Sequence, residues 1–89
     1  MSQRILIVED DRNSRRGLVA IFEKVGLVPI EATNVQQAMA QLDREIDVIC
    51  LDLMLPDRNG VEVLRYVRQE NHSAKVAVIS AADEQDLST

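Results

Sequence analysis

Short apolar runs alternate along this chain with longer stretches whose apolar residues recur at helical spacing. The apolar runs lie at residues 5–8, 48–51 and 76–79, and a mostly apolar segment that ends in a glutamate lies at 27–31. A run such as 48–51, which is apolar at every position, is typical of a strand covered on both faces of a parallel sheet. Strands separated by helices imply right-handed crossovers, so the order predicts an α/β fold with a doubly wound parallel sheet.

The segments between these runs predict amphipathic helices. Their apolar stripes are Leu18, Ile21, Phe22 and Val25; Val35, Ala38, Met39 and Leu42; and Val61, Leu64 and Val67. Gly26 follows the first stripe where a glycine commonly ends a helix. Asn34 and Gln37 have the spacing of a capping box at the start of the second helix. Pro29 favours an edge position for the second strand, and residues 81–89 predict the opening of a fourth helix.

Composition excludes several classes of function. A chain of 89 residues accommodates one domain, and its 15 acidic and 10 basic side chains give a net charge of −5. This acidic balance, with Phe22 and Tyr66 as the aromatic residues, argues against direct binding of nucleic acid. Cys50 allows no internal disulfide and lies in an apolar run, which favours a buried hydrophobic role. The apolar run after Met1 is too short for a signal peptide or membrane span, so we expect a cytoplasmic protein without membrane contact.

Acidic residues follow two of the predicted strands, and a hydroxyl residue follows another. Glu9 and Asp10 follow the first strand, Asp52 the third, and Ser80 the fourth. The carboxyl ends of parallel strands share one edge of a sheet, where open α/β sheets bind their ligands. Neighbouring carboxylates repel one another and favour a hard divalent cation, and Mg²⁺ is the natural counterion. One carboxylate would remain free to attack phosphorus and form an acyl phosphate.

Each acidic residue taken alone is more commonly a solvated side chain, and the prediction depends on the whole set. The arginines that open the first helix are interpreted as a solvated face that balances local charge rather than a docking patch. They are Arg12, Arg15 and Arg16. Asp57 and Arg58, in the loop after the third strand, are interpreted as ordinary turn residues, although they could tune access of water or a partner.

The chain resembles the receiver domain of bacterial response regulators. The resemblance lies in the segments ILIVEDD at 5–11, DVICLDLMLPDRNG at 47–60 and VAVISA at 76–81. It implies a flavodoxin-like sheet with strand order 2-1-3-4. Because receivers continue into a fifth strand and a fifth helix, residues 1–89 are expected to be a receiver domain that is incomplete at its C-terminus.

The resemblance also implies roles for single residues. Glu9 and Asp10 match the acidic pair that holds Mg²⁺, and Asp52 matches the aspartate that a sensor histidine kinase phosphorylates. Met54 matches the position whose backbone carbonyl binds the metal. Ser80 matches the hydroxyl residue that turns toward the phosphoryl group. Such a protein is a phosphoacceptor that at most catalyses its own phosphoryl transfer, and it is not expected to be an enzyme in the ordinary sense.

The chain departs from the family's pattern in one respect, and two expectations follow from that departure. Neither Lys24 nor Lys75 matches the lysine that ends the family's fifth strand, so phosphorylation is expected to be impaired, by about 10²–10³ in rate. The fourth strand is expected to be an exposed apolar edge, which favours a homodimer or an exchange of elements between chains.

Two other functions remain open from the sequence. The first is a protein-interaction module of the same fold that is not phosphorylated and docks partners through its first helix and fourth strand. The second is a magnesium-dependent phosphatase with an aspartate nucleophile. Such phosphatases typically have a second aspartate two residues after the nucleophile, and Met54 at that position disfavours this function.

Overall fold

The strands form one parallel sheet. The structure, a computed structural model, describes residues 3–42, 45–52, 55, 57, 59–70 and 73–79. Its strands are β1 (Arg4–Val8), β2 (Val28–Ala32), β3 (Val48–Asp52) and β4 (Lys75–Ile79). They pair in the order β2-β1-β3-β4, which confirms the predicted order. The helix predicted to open within residues 81–89 lies outside the described residues.

Three helices connect the strands. They are α1 (Arg12–Lys24), α2 (Val35–Gln41) and α3 (Val61–Gln69). Asp11 caps α1 by accepting a hydrogen bond from the Ser14 amide at 2.8 Å, and Asn34 caps α2 by accepting one from the Gln37 amide at 2.8 Å. In the predicted capping box the Gln37 side chain would accept a hydrogen bond from the Asn34 amide. It accepts one from the Thr33 amide instead, one residue earlier in the chain.

The two central strands, β1 and β3, are buried on both faces of the sheet. On one face, Leu6 and Val8 of β1 join the larger hydrophobic cluster with Val35 of α2 and Val63 of α3. On the other face, Ile5 and Ile7 join Cys50 beneath α1. Successive strand residues point to opposite faces, which explains why these runs are apolar at every position. The arrangement confirms the doubly wound architecture, and the burial of Cys50 confirms its hydrophobic role.

The predicted apolar stripe of α1 is wrong in two of its four members. Ile21 is 57% exposed and Val25 is 69% exposed. Leu18 and Phe22 pack on the cluster as predicted, together with Val19. The physical reason is the orientation of α1, whose sheet-facing side carries Leu18, Val19 and Phe22 and leaves Ile21 and Val25 outside it. Arg15, which bonds to Glu31 of β2, lies on that same helical face.

The end of α1 confirms the role predicted for Gly26. The Gly26 amide bonds to the Glu23 carbonyl at 3.1 Å, and the Leu27 amide bonds to the Phe22 carbonyl at 3.0 Å. These two bonds form a Schellman motif, which requires a left-handed residue after the helix. Gly26 has a φ of 89°, a conformation that glycine adopts at little cost.

Two strands lie at the sheet edges of the described region. β2 lies at one edge and carries Pro29, as predicted. β4 lies at the other edge, where Ala77 is exposed and Val78 is 40% exposed. Within the part of the chain that the structure describes, no helix is long and apolar enough to cross a membrane.

Candidate metal and phosphoryl site

The structure brings Glu9, Asp10 and Asp52 together. Glu9 and Asp10 directly follow β1, and Asp52 is the last residue of β3. Since β1 and β3 are neighbours, with Val8 opposite Leu51, the side chains that follow these residues meet at one edge. One oxygen from each of the three carboxylates lies within 4.8 Å of the other two.

Glu9 has the most unusual environment of the three. Its Oε2 atom is buried and accepts no hydrogen bond in the described part of the chain. Burial, the hydrogen bond with Asp52 and the nearby negative charges of Asp52 and Asp10 raise the pKa of Glu9 from 4.5 to about 8. A buried carboxylate oxygen without a partner is costly, and a bound cation would satisfy it.

The donor set fits a hard divalent cation. Three carboxylates on adjacent strand ends provide oxygen ligands and negative charge, which are the requirements of Mg²⁺. Asp10 is exposed, while Glu9 and Asp52 are half-buried, so the cluster opens to solvent on one side. Met54 and Ser80, the other two residues predicted for the site, lie outside the described residues.

Arg15 is a site residue that the sequence analysis misplaced. Its side chain is 15% exposed, so the solvated position predicted for Arg15 is wrong, although its ion pair with Glu31 agrees with the predicted balancing of local charge. Arg12 and Arg16 are exposed. Its Nε donates to Glu31 Oε1 at 2.9 Å, and its terminal nitrogen donates to the Glu9 carbonyl at 3.1 Å. The guanidinium therefore ties the backbone of the acidic pair to β2. A sequence does not show which of three neighbouring arginines points inward.

Asp57 also has a role that its turn position did not reveal. Its two carboxylate oxygens accept hydrogen bonds from the amides of Val35 and Gln36 at 2.9 and 3.1 Å. The interpretation as an ordinary turn residue is therefore wrong, because the carboxylate binds the first turn of a helix 22 residues earlier. Arg58 lies outside the described residues.

Cys50 lies close to the acidic cluster without belonging to it. Burial, followed by the negative charges of Glu9 and Asp52, raises the pKa of the Cys50 thiol to about 11. The thiol is therefore protonated at neutral pH and faces the α1 side of the sheet with Ile5 and Ile7. It contributes packing, and the residues that converge in the described part of the site offer carboxylate oxygens.

The sequence comparisons with known proteins agree on one family for this chain. The sequence profile of the response regulator receiver domain matches residues 5–89. The transcriptional regulatory protein CpxR of Escherichia coli is 34% identical over 83 residues, which cover 93% of this chain and 36% of CpxR. A cyclic di-GMP phosphodiesterase of Thermotoga maritima is 35% identical over 83 residues, covering 93% of this chain and 22% of that protein. The chain thus spans about a third of CpxR and less of the phosphodiesterase.

Solved structures share the fold. The MaeR response regulator bound to beryllium trifluoride superimposes with a TM-score of 0.82 at 30% identity, covering 89% of this chain and 67% of MaeR. The flavodoxin-like arrangement predicted for this sequence is therefore confirmed both by its own strand order and by this similarity.

Proposed function

This chain belongs to the response regulator receiver domains, and from that premise we propose that it is a phosphoacceptor module whose Asp52 takes a phosphoryl group from a sensor histidine kinase in the presence of Mg²⁺. The observation that carries the proposal is the convergence of Glu9, Asp10 and Asp52 within 4.8 Å. Receiver domains are signalling modules rather than enzymes in the ordinary sense, although the phosphodiesterase relative shows that one can share a chain with an enzyme.

The proposed reaction is an in-line transfer. An Asp52 carboxylate oxygen forms a bond to phosphorus while the bond from phosphorus to the kinase histidine nitrogen breaks, and the imidazole leaves with that electron pair. Glu9 and Asp10, with Asp52, would hold Mg²⁺, and Arg15 holds the backbone of the acidic pair through the Glu9 carbonyl. When bound, the metal neutralises the negative charge that would otherwise repel a phosphoryl group.

Two further residues complete the proposal. The Met54 carbonyl would be an additional metal ligand, and the Ser80 hydroxyl would donate a hydrogen bond to a phosphoryl oxygen. Both residues lie outside the described region, and their roles are supported by the family pattern alone. The binding of beryllium trifluoride by MaeR supports a phosphoryl site of this kind, because that fluoride resembles a phosphoryl group in shape and charge.

The test measures phosphorylation of the protein in two steps. The first uses a small phosphoryl donor without a kinase, and the second uses a phosphorylated histidine kinase as the donor. The purified protein is incubated with Mg²⁺ and phosphoramidate, a phosphorylated nitrogen donor, and its intact mass is measured. The expected result is the addition of a single phosphoryl group, located at Asp52 by peptide mapping after borohydride reduction and absent from Asp52→Asn. A protein that binds a histidine kinase but gains no phosphoryl group from either donor would instead be the interaction module of the same fold.

A further inference from the structure

The most informative long-range contact in the described region joins the loop after β3 to the start of α2. Asp57 accepts hydrogen bonds from the Val35 and Gln36 amides with both of its carboxylate oxygens, at 2.9 and 3.1 Å. These partners are 22 and 21 residues away in the chain. The carboxylate is charged, so both bonds are stronger than bonds between neutral groups.

The first turn of α2 needs this external acceptor. The first amides of a helix have no partner within the helix. Asn34 satisfies the Gln37 amide through its side chain and the Ala38 amide through its carbonyl. The Val35 and Gln36 amides are left, and Asp57 accepts from both. Local capping and capping by the distant loop therefore serve different amides of the same helix end.

The contact also connects the two halves of the acidic cluster. Asp57 belongs to the loop that leaves Asp52 at the end of β3. Val35, which donates to Asp57, is fully buried, and Ala32 just before the helix accepts a hydrogen bond from the Glu9 amide at 3.0 Å. A continuous path of hydrogen bonds and short backbone segments thus leads from the loop of Asp52 to the backbone of Glu9.

We propose that Asp57 is a positioning residue for the divalent cation: its hydrogen bonds to the first turn of α2 anchor the chain shortly after Asp52 and so favour the arrangement of Asp52, Glu9 and Asp10 that binds the metal. The inference rests on the proposed function of the site. Without the Asp57 contact a smaller fraction of molecules holds Asp52 beside Glu9 and Asp10, and the apparent affinity for Mg²⁺ falls in proportion to that fraction.

The test compares Mg²⁺ affinity in matched variants by calorimetric titration. Asp57→Ala removes both bonds to α2, and Asp57→Asn keeps one acceptor oxygen. Asn34→Ala removes the local cap from the same helix end without releasing the loop. Far-UV circular dichroism verifies that each variant is folded under the titration conditions. We expect Mg²⁺ to bind about 10-fold more weakly to Asp57→Ala, which corresponds to about a tenth of the molecules being competent to bind, and less than about 2-fold more weakly to Asn34→Ala.

Amide hydrogen exchange in the wild-type protein provides a second measurement that requires no substitution. If the loop contact and the metal are coupled, the coupling is reciprocal. Saturating Mg²⁺ should then slow exchange of the Val35 and Gln36 amides more than that of the Gln37 amide, which bonds to Asn34. The same comparison in Asp52→Asn should show no such difference, because the cation site is disrupted.

The outcomes separate this inference from the function on which it rests. If Mg²⁺ does not bind the wild-type protein, the proposed function is wrong. If Mg²⁺ binds the wild type, and folded Asp57→Ala binds it with unchanged affinity, the positioning role is wrong and the function stands. Should Asp57→Ala fail to fold, Asp57→Asn and the wild-type exchange measurement decide, and an absence of Mg²⁺-dependent protection at Val35 and Gln36 overturns the inference.

Discussion

At the scale of single residues, Glu9 links burial to chemistry. Its pKa in the folded protein is about 8, against an ordinary value of 4.5. Between these two pH values the metal-free folded protein retains a proton that the unfolded chain has lost. The free energy of unfolding should therefore fall as the pH rises through this interval, and the contribution of Glu9 is fully present only below the lower value.

Urea denaturation of the protein in a chelating buffer, repeated across that pH interval, measures this effect. Glu9→Gln is the control, since it cannot titrate and should flatten the pH dependence. An equally steep fall in Glu9→Gln would assign the effect to other groups. Added Mg²⁺ should reduce the slope in the wild type, because a cation stabilises the ionised cluster.

The sequence predicted the position of a residue correctly where the order of strands and helices along the chain determines that position. Glu9, Asp10 and Asp52 follow strands whose carboxyl ends meet, so their convergence follows from the order of the elements. Arg15 and Asp57 were misassigned for the opposite reason. Their partners, Glu31 and the first turn of α2, are brought to them by tertiary structure and leave no local signal in the sequence.

At the scale of elements, α1 and the turn that ends it provide a matched pair of glycines. Gly17 lies on the exposed face of the helix, and Gly26 follows its end with a φ of 89°. A Cβ atom at either position would meet no atom within 4 Å, so the effect of a substitution is conformational. We expect Gly17→Ala to stabilise the protein by about 1 kcal/mol through helix propensity. Gly26→Ala should destabilise it by about 1 kcal/mol through left-handed strain.

Chemical denaturation of the two variants beside the wild type tests the pair. We expect the two substitutions to change the free energy of unfolding in opposite directions, because the same substitution is placed in two different backbone conformations. Equal effects of the same sign would contradict the assignment of Gly26 to the Schellman motif that ends α1.

The helices also show how far periodicity predicts packing. In α2, Val35, Ala38 and Leu42 are buried as their spacing predicts. In α3, Val67 is buried as predicted, but the other fully buried position is Val63, which the predicted stripe omitted. Apolar residues on adjacent faces allow more than one stripe. The choice depends on contacts with the sheet, as with Arg15 in α1.

At the scale of the whole molecule, the two sheet edges differ in their capacity to pair. β2 contains Pro29, which lacks an amide donor, whereas the β4 edge carries Val78 and no proline. Among the described residues no strand pairs with the outer side of β4, and an apolar strand edge of this kind is a template for pairing with another chain. We therefore predict that the protein self-associates through β4.

Two exposed valines on opposite edges provide the comparison. Val78 on β4 is 40% exposed, and Val28 on β2 is 42% exposed. Val78→Lys should shift the protein toward monomer in sedimentation velocity, while Val28→Lys should leave the association unchanged. A wild-type protein that is monomeric at micromolar concentration, or equal effects of the two substitutions, would contradict association through β4.

The central claim is that Glu9, Asp10 and Asp52 form one pocket for a divalent cation, and a calorimetric titration of Mg²⁺ tests it most directly. We predict one saturable site in the wild type. In Glu9→Gln, Asp10→Asn and Asp52→Asn we expect the affinity to fall by at least about 10-fold, because direct ligands matter no less than their outer partners. Mg²⁺ binding that is unchanged by Asp52→Asn, or that does not saturate in the wild type, would contradict the account.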